Sequence, residues 1–375
     1  VFALLLTGLA QAAQPESPAQ HGPKPPADPS GPAHRDSSFV VLPGPFLTKE
    51  TSWGLGVLFG YSFYSSEQQA VGSPSVIQAD AAYTLRRQTT ISARPRLYLG
   101  GESWIVGGDY ILRMYPDRYW GVGNDLPDIS QGYTEDSFRW RNEVQRHVGA
   151  GLWTGVVHQG SVTRIHDEQD VVDADGRTVT LPSLLDASVL GRDGGLSNGL
   201  GLSLLHDNRD HVLVPTRGGY HYASLVVLHS AVGSDFDYLL WEVDLRRFLR
   251  LSADGAHVLG LQAVGEIRGR APPFYELGKL GGPRRMRGYY EGRYRDQHYL
   301  TGQAEYRFPI YWRFAGVAFG AIGEVFGQDR LRLDRLRWCV GGGLRVRFGS
   351  DAIIRLDVGV GPDTEAVIIE GGHAF

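Results

Sequence analysis

Five arginines crowd into sixteen residues of this chain, in the run Gly281-Gly282-Pro283-Arg284-Arg285-Met286-Arg287-Gly288-Tyr289-Tyr290-Glu291-Gly292-Arg293-Tyr294-Arg295-Asp296. A guanidinium stays charged at any physiological pH and presents a rigid fork of donors that matches a carboxylate. The chemistry to expect is therefore ion pairing and pinning, not bond making. The run is too polar and glycine-rich for a strand, yet it lies between two segments of strict two-residue alternation. Its charge needs a wet place, and the interior of a wide barrel is one.

Other residue groups look chemical and read more simply. Gly195-Leu196-Ser197-Asn198-Gly199 matches the letters of a nucleophile elbow, but an elbow needs a strand-turn-helix context on a parallel sheet. Here it begins a strand after a long loop, in a chain with 50 glycines. Asp167, Asp170, Asp173 and Asp175 would attract a cation, but their spacing is not that of an EF-hand loop. Residues 171–179 read as a small hairpin with an Asp-Gly turn. His206, His211, His221 and His229 lack ligand spacing, and Cys339, the single cysteine, falls on the polar face of its strand as an inert interior residue. Arg246, Arg268, Arg345 and Arg347 would favour anions if unpaired; with Glu242, Asp244, Glu266 and Asp357 they would instead form an internal network, the cheaper arrangement in a confined lumen. No catalytic residue, metal or cofactor is expected.

The elements that must hold the arginine run alternate with period two. In 336–348, Leu336, Trp338, Val340, Leu344, Val346 and Phe348 share one face, while Arg337, Arg345 and Arg347 share the other. Globular strands usually run about 5–6 residues, whereas a tilted bilayer-crossing strand needs about 9–11. Segments near the longer value fall at 38–46, 53–65, 75–86, 89–100, 102–114, 133–148, 150–164, 197–207, 217–230, 236–250, 256–269, 298–309, 314–326, 336–348, 352–361 and 366–375. They predict an all-β fold: one transmembrane antiparallel barrel of sixteen strands. With the first strand running outward, the long gaps 115–132, 165–196 and 270–297 become external loops, and most other gaps become short periplasmic turns.

Composition agrees. A mean hydropathy of −0.21 and 42% hydrophobic residues exclude a helical membrane bundle, and a net charge of −4 implies no nucleic-acid partner. Phe2 to Ala12 reads as the apolar core and Ala-x-Ala end of a secretory signal, giving 1–12 as leader, 13–36 as a proline-rich linker and 37–375 as the barrel.

Met286-Arg287-Gly288-Tyr289 resembles the [VI]RG[FY] motif of the BamA/TamA bacterial surface-antigen superfamily, in the loop between strands eleven and twelve. Tyr119-Trp120-Gly121-Val122-Gly123-Asn124 resembles that family's aromatic-G-[IV]-G-N element. Asp207, Arg209, Asp210, Pro215 and Gly218 resemble its D-x-R-D…P-x-x-G periplasmic turn, and 303–309 its strand-twelve segment. The resemblance implies a loop folded into the lumen, an acid at Glu305 meeting Arg287, and a weak seam between first and last strands. The family's second acid would fall at position 321, which is alanine. Either Glu305 carries the pair alone, or Glu324 or Asp357 substitutes. Client-handling relatives carry periplasmic transport-associated domains, which 14–36 is too short to house.

These readings imply a bacterial outer-membrane barrel that assists insertion or translocation of other outer-membrane polypeptides, by strand pairing at an opened seam. Gly371 and Gly372 would weaken the closing strand, and Phe375 would end it on an aromatic. Expected partners are outer-membrane lipid, unfolded outer-membrane proteins and a periplasmic or membrane subunit. The alternative is a solute channel that the arginine loop plugs.

Overall fold

The computed structural model describes residues 37–64, 74–181, 183–212, 214–327, 331–348 and 352–375. The leader and linker expected at 1–36, most of the turn at 66–74 and the turn at 349–351 lie outside them.

Sixteen strands form the barrel: β1 (Ser38–Thr48), β2 (Ser52–Phe63), β3 (Ser75–Thr84), β4 (Thr89–Leu99), β5 (Trp104–Tyr119), β6 (Ser130–Gly149), β7 (Leu152–His166), β8 (Gly194–Asp207), β9 (Gly218–Leu228), β10 (Tyr238–Arg250), β11 (Val258–Gly269), β12 (His298–Tyr311), β13 (Phe314–Phe326), β14 (Arg337–Phe348), β15 (Ala352–Gly361) and β16 (Thr364–Gly371). Each is antiparallel to its neighbours in sequence, and β16 returns to β1, so the sheet closes. Closure confines to the β1–β16 junction the edges that an open sheet would leave unpaired in hydrocarbon.

The alternation sorts side chains as the pleat requires. On β15, Ile354, Leu356, Val358 and Val360 are exposed on the outer wall, while Arg355 and Asp357 between them are fully buried. On β8, Leu200, Leu202 and Leu204 point out and Ser203 and Leu205 point in. An apolar outside with a polar inside is the pattern of a membrane barrel.

The two longest connections, 167–193 and 270–297, rise from one rim. The gap expected at 115–132 shrinks to 120–129, because β5 and β6 pair on past the wall as far as Tyr119↔Gln131. In the loop at 167–193, Val171–Val172 pairs with β6, and Asp173 and Arg177 close the Asp-Gly turn at Gly176.

Closure is uneven. β1 pairs with β2 along its whole length, from Ser38↔Ser62 to Thr48↔Ser52. Toward β16 the register holds one pair, Leu47↔Ile369. The closing strand also ends earlier than its sequence suggests. It stops at Gly371; Gly372 turns the chain at φ +80°, and Phe375 leaves the sheet for the lumen. There Phe375 packs with Phe248 and Val258. The cause lies on β11 and β12: Gly260 has no side chain to fill the space that the Phe375 ring takes, and Arg307 donates to the Phe375 carbonyl at 2.9 Å.

Candidate functional site in the barrel lumen

The connection 270–297 folds inward as a small structured element. Gly278–Leu280 and Tyr294–Asp296 pair as a two-stranded ribbon, and 281–293 forms its tip. Leu280, Met286, Tyr289 and Tyr294 bury themselves against Tyr299, Ala321, Val325 and Cys339 of the inner wall. Met286 (φ +44°) and Gly288 (φ +138°) bend the tip so that Arg287 projects between them.

Arg287 is 1% exposed. One of its terminal nitrogens donates to Glu305 at 2.7 Å and to Asp357 at 2.9 Å, and the guanidinium lies 3.6 Å from the centre of the Phe319 ring. Asp357, two strands from Ala321, thus occupies the second-acid role. Glu324 points elsewhere and accepts the Arg332 N–H at 3.1 Å. The sequence pointed to Arg345 as a lumen cation, and it binds Asp357 and Glu305. Arg307, which alternation puts on the same polar face as Glu305, joins it at 2.8 Å, and Arg355, which no motif marks, bridges Asp357 and Glu370. Four arginines therefore meet three acids, all of them buried except the partly exposed Glu370, and the low dielectric makes each buried pairing strong and each orphan costly. Elsewhere in the lumen, Arg246 pairs with Asp244, Arg268 with Glu266 and Glu242 with Arg141, while Arg347 is exposed.

The wall makes room for the loop with glycine. A Cβ at Gly359 would overlap the Arg287 carbonyl, and one at Gly343 would overlap the Asp357 carboxylate. Only a bare backbone allows so close an approach. Both glycines lie on the inner face of their strands, Gly343 opposite Asp357 and Gly359 two residues beyond it, and that shared face is their signal in the sequence.

Higher up, the tip is tied to both sides of the seam. The Gly288 carbonyl accepts from Lys49 Nζ at 3.3 Å in the β1–β2 turn, and from the Thr364 hydroxyl at the start of β16. Lys49 and Thr364 also bond each other. Beside them the buried Glu50 carboxylate accepts the Glu291 N–H at 2.7 Å. Burial, reinforced by the Glu291 charge, pushes the Glu50 carboxyl up to about 7, against the opposing pull of that N–H. The β5–β6 loop closes over the tip: Trp120 meets Tyr290 edge-on, and Gly123 donates to the Arg295 carbonyl at 2.8 Å. Asn124 accepts from Arg337 at 2.8 Å.

At the opposite rim, the 207–218 turn organises itself. Arg209 forks onto Asp207 (2.9 and 2.7 Å), and Asp210 accepts the Thr216 N–H at 2.8 Å. Gly218 (φ +95°) lies against the Asn208 carbonyl, and the Pro215 carbonyl receives Arg307 at 3.5 Å. Arg307 therefore links this turn, the Phe375 tail and the central acids. Ser197 lies inside antiparallel β8 with no helix after it.

Three solved structures share this architecture. BamA from Haemophilus ducreyi lacking POTRA domains 1–3 superposes with a TM-score of 0.58 at 10% identity, over 90% of this chain and 70% of that one. CdiB from Acinetobacter baumannii gives 0.58 at 13% identity, over 89% of this chain and 59% of that one. CdiB from Escherichia coli gives 0.56 at 13% identity, over 90% and 62%. This chain thus spans less than two thirds of either CdiB chain. At such identities the likeness is one of fold. No protein with a curated description matches the sequence. The family model of the Omp85 superfamily domain, in contrast, matches residues 77–366, which takes in fourteen of the sixteen strands in whole or part and the whole inward loop. The chain belongs to the Omp85 superfamily.

Proposed function

We propose that this barrel resides in a bacterial outer membrane, with its long-loop rim outward, and assists insertion or translocation of other outer-membrane polypeptides through the β1–β16 seam. The observation that carries the proposal is the seam itself, where a single pair, Leu47↔Ile369, joins strands that are fully laddered on their other sides. Parted, the two edges would offer main-chain donors and acceptors to a client strand of any sequence, which is what β-augmentation requires. The Gly288 clamp spans the same seam at its outer end, so the loop is placed to hold it shut. Partners are then unfolded barrel proteins, membrane lipid and a subunit that recruits clients.

The test is insertion of an unfolded barrel protein into liposomes with and without the purified chain. Leu47→Cys with Ile369→Cys, in a Cys339→Ala background, places two thiols at directly opposed positions, within disulfide reach. Acceleration that the oxidised pair abolishes and reduction restores supports the seam mechanism. Acceleration that survives the lock sinks it.

A second reading rests on the filled lumen. With the tip packed on β12–β15 and Arg287 tied to Glu305 and Asp357, the barrel would be a plugged channel for small solutes.

A further inference from the structure

The outer wall near the short-turn ends of β9 to β12 carries two joined cavities that neither the seam nor the loop uses. Arg247 stands in the outward row of β10, one ladder step beyond the exposed Leu245 and one before Leu249. Its neighbour on β9 is Gly219, so Arg217 enters beside it. With Arg250, these arginines line a pocket of about 550 Å³ that also touches Asn208 and Asp210. Arg250 is engaged by Thr216 at 2.8 Å and Asp210 at 3.5 Å. Asp210 in turn takes the Thr216 and Arg217 amides. The Arg217 and Arg247 guanidinium groups have no ion pair or hydrogen bond among the described residues.

Arg247 also heads a groove of about 390 Å³ that runs along the wall past His221, Leu245, Leu261, Ala263 and Gly302. The ladder sets Ala263 between Leu245 and Gly302. Two small residues beside two leucines leave a furrow on a surface that otherwise faces acyl chains.

An exposed, unpaired guanidinium at the edge of an apolar wall is available to an anion, and its fork fits two oxygens of a phosphate. Below it the furrow offers length, walled by Leu245, Leu261, Ala263 and Gly302, and its polar His221 is already engaged by His206, which suits hydrocarbon. We propose that one glycerophospholipid of the inner-facing leaflet binds here, its phosphate on Arg217 and Arg247 and one acyl chain over Ala263 and Gly302. The inference rests on the outer wall facing lipid, and it assigns the chain a specific lipid partner beyond a role in assembly.

The full chain, purified in detergent and given dioleoyl-phosphatidylglycerol, is read by native mass spectrometry for retained lipid. One equivalent should be retained by the wild type, and Arg217→Gln with Arg247→Gln should lower its affinity about tenfold. Ala263→Leu, which fills the furrow and leaves the charge untouched, should do the same. Dihexanoyl-phosphatidylglycerol and inorganic phosphate should neither bind nor compete. Unchanged retention in the double glutamine variant overturns the site, as does competition by inorganic phosphate, which would make it a free-phosphate pocket. Unchanged retention in Ala263→Leu removes the acyl chain from the furrow and also overturns it. Folded-state gel mobility of each variant separates loss of lipid from loss of fold. Flotation of the wild type with liposomes tests the membrane reading independently, so a chain that floats yet retains no lipid fails the site alone.

Discussion

Asp357 receives Arg287, Arg345 and Arg355 at once, and Glu305 receives Arg287, Arg307 and Arg345. With Glu370 on Arg355, the cluster already has more cations than acids. Removing an acid worsens that imbalance, whereas removing an arginine relieves it. Asp357→Asn, nearly isosteric, should therefore destabilise the barrel by about 3–5 kcal/mol, the usual cost of stranding a buried charge. Arg355→Gln should cost clearly less. Thermal unfolding in detergent compares the two, and equal losses would mean that the excess positive charge is already compensated. Glu50 supplies a pH dependence at the same scale. Its carboxyl is raised from 4.5 to about 7 in the docked state, so docking favours the protonated form. Stability from this contact is full below about 4.5 and is lost as pH rises through 7. Hydrogen exchange at the Glu291 amide, corrected for its intrinsic pH dependence, should show stronger protection at pH 5.5 than at pH 8. Glu50→Gln should flatten that difference, and a slope that survives the substitution would assign the switch to another group.

At the scale of elements, the loop and the wall that receives it were shaped together. Gly359→Ala should push the Arg287 carbonyl off β15 and expose the 284–293 tip to protease, leaving the barrel folded, because alanine suits a strand better than glycine does. Gly371→Ala, where an added Cβ meets nothing closer than 3.9 Å, should change neither, and a tip that stays protected in Gly359→Ala would mean the wall yields instead. The strands themselves were legible in the sequence because each has one lipid face and one lumen face, a constraint that writes itself residue by residue into β14 and β15. What the sequence hid was governed by contacts between distant segments. Nothing local marks Lys49 and Thr364 as two sides of one clamp, or Asp357 instead of Glu324 as the second acid. The tail was misplaced for a related reason: Phe375 keeps the aromatic ending of a strand, and only the empty space beside Gly260, far away in sequence, draws it inside.

For the whole molecule, plug and seam meet in one carbonyl. Gly288 follows Arg287 directly, and its oxygen is held by Lys49 on one side of the closure and Thr364 on the other. The two functional readings therefore separate by which end of this dipeptide is cut. Lys49→Ala removes one bond from Gly288 and the link to Thr364, while Arg287 keeps its acids. Disulfide formation between cysteines at 47 and 369 should then slow, as the strands part more often, while planar-bilayer conductance stays at the wild-type level. Arg287→Ala removes the two ion pairs that pin the tip at mid-depth and should raise conductance severalfold, since breaking buried pairs of this kind loosens what they hold. In an assembly factor, Lys49→Ala alters client insertion and the conductance of Arg287→Ala is incidental. In a plugged channel, Arg287→Ala changes solute flux and Lys49→Ala leaves insertion where it was. If Lys49→Ala raises conductance as much as Arg287→Ala does, the clamp belongs to the plug, and the seam has no latch of its own.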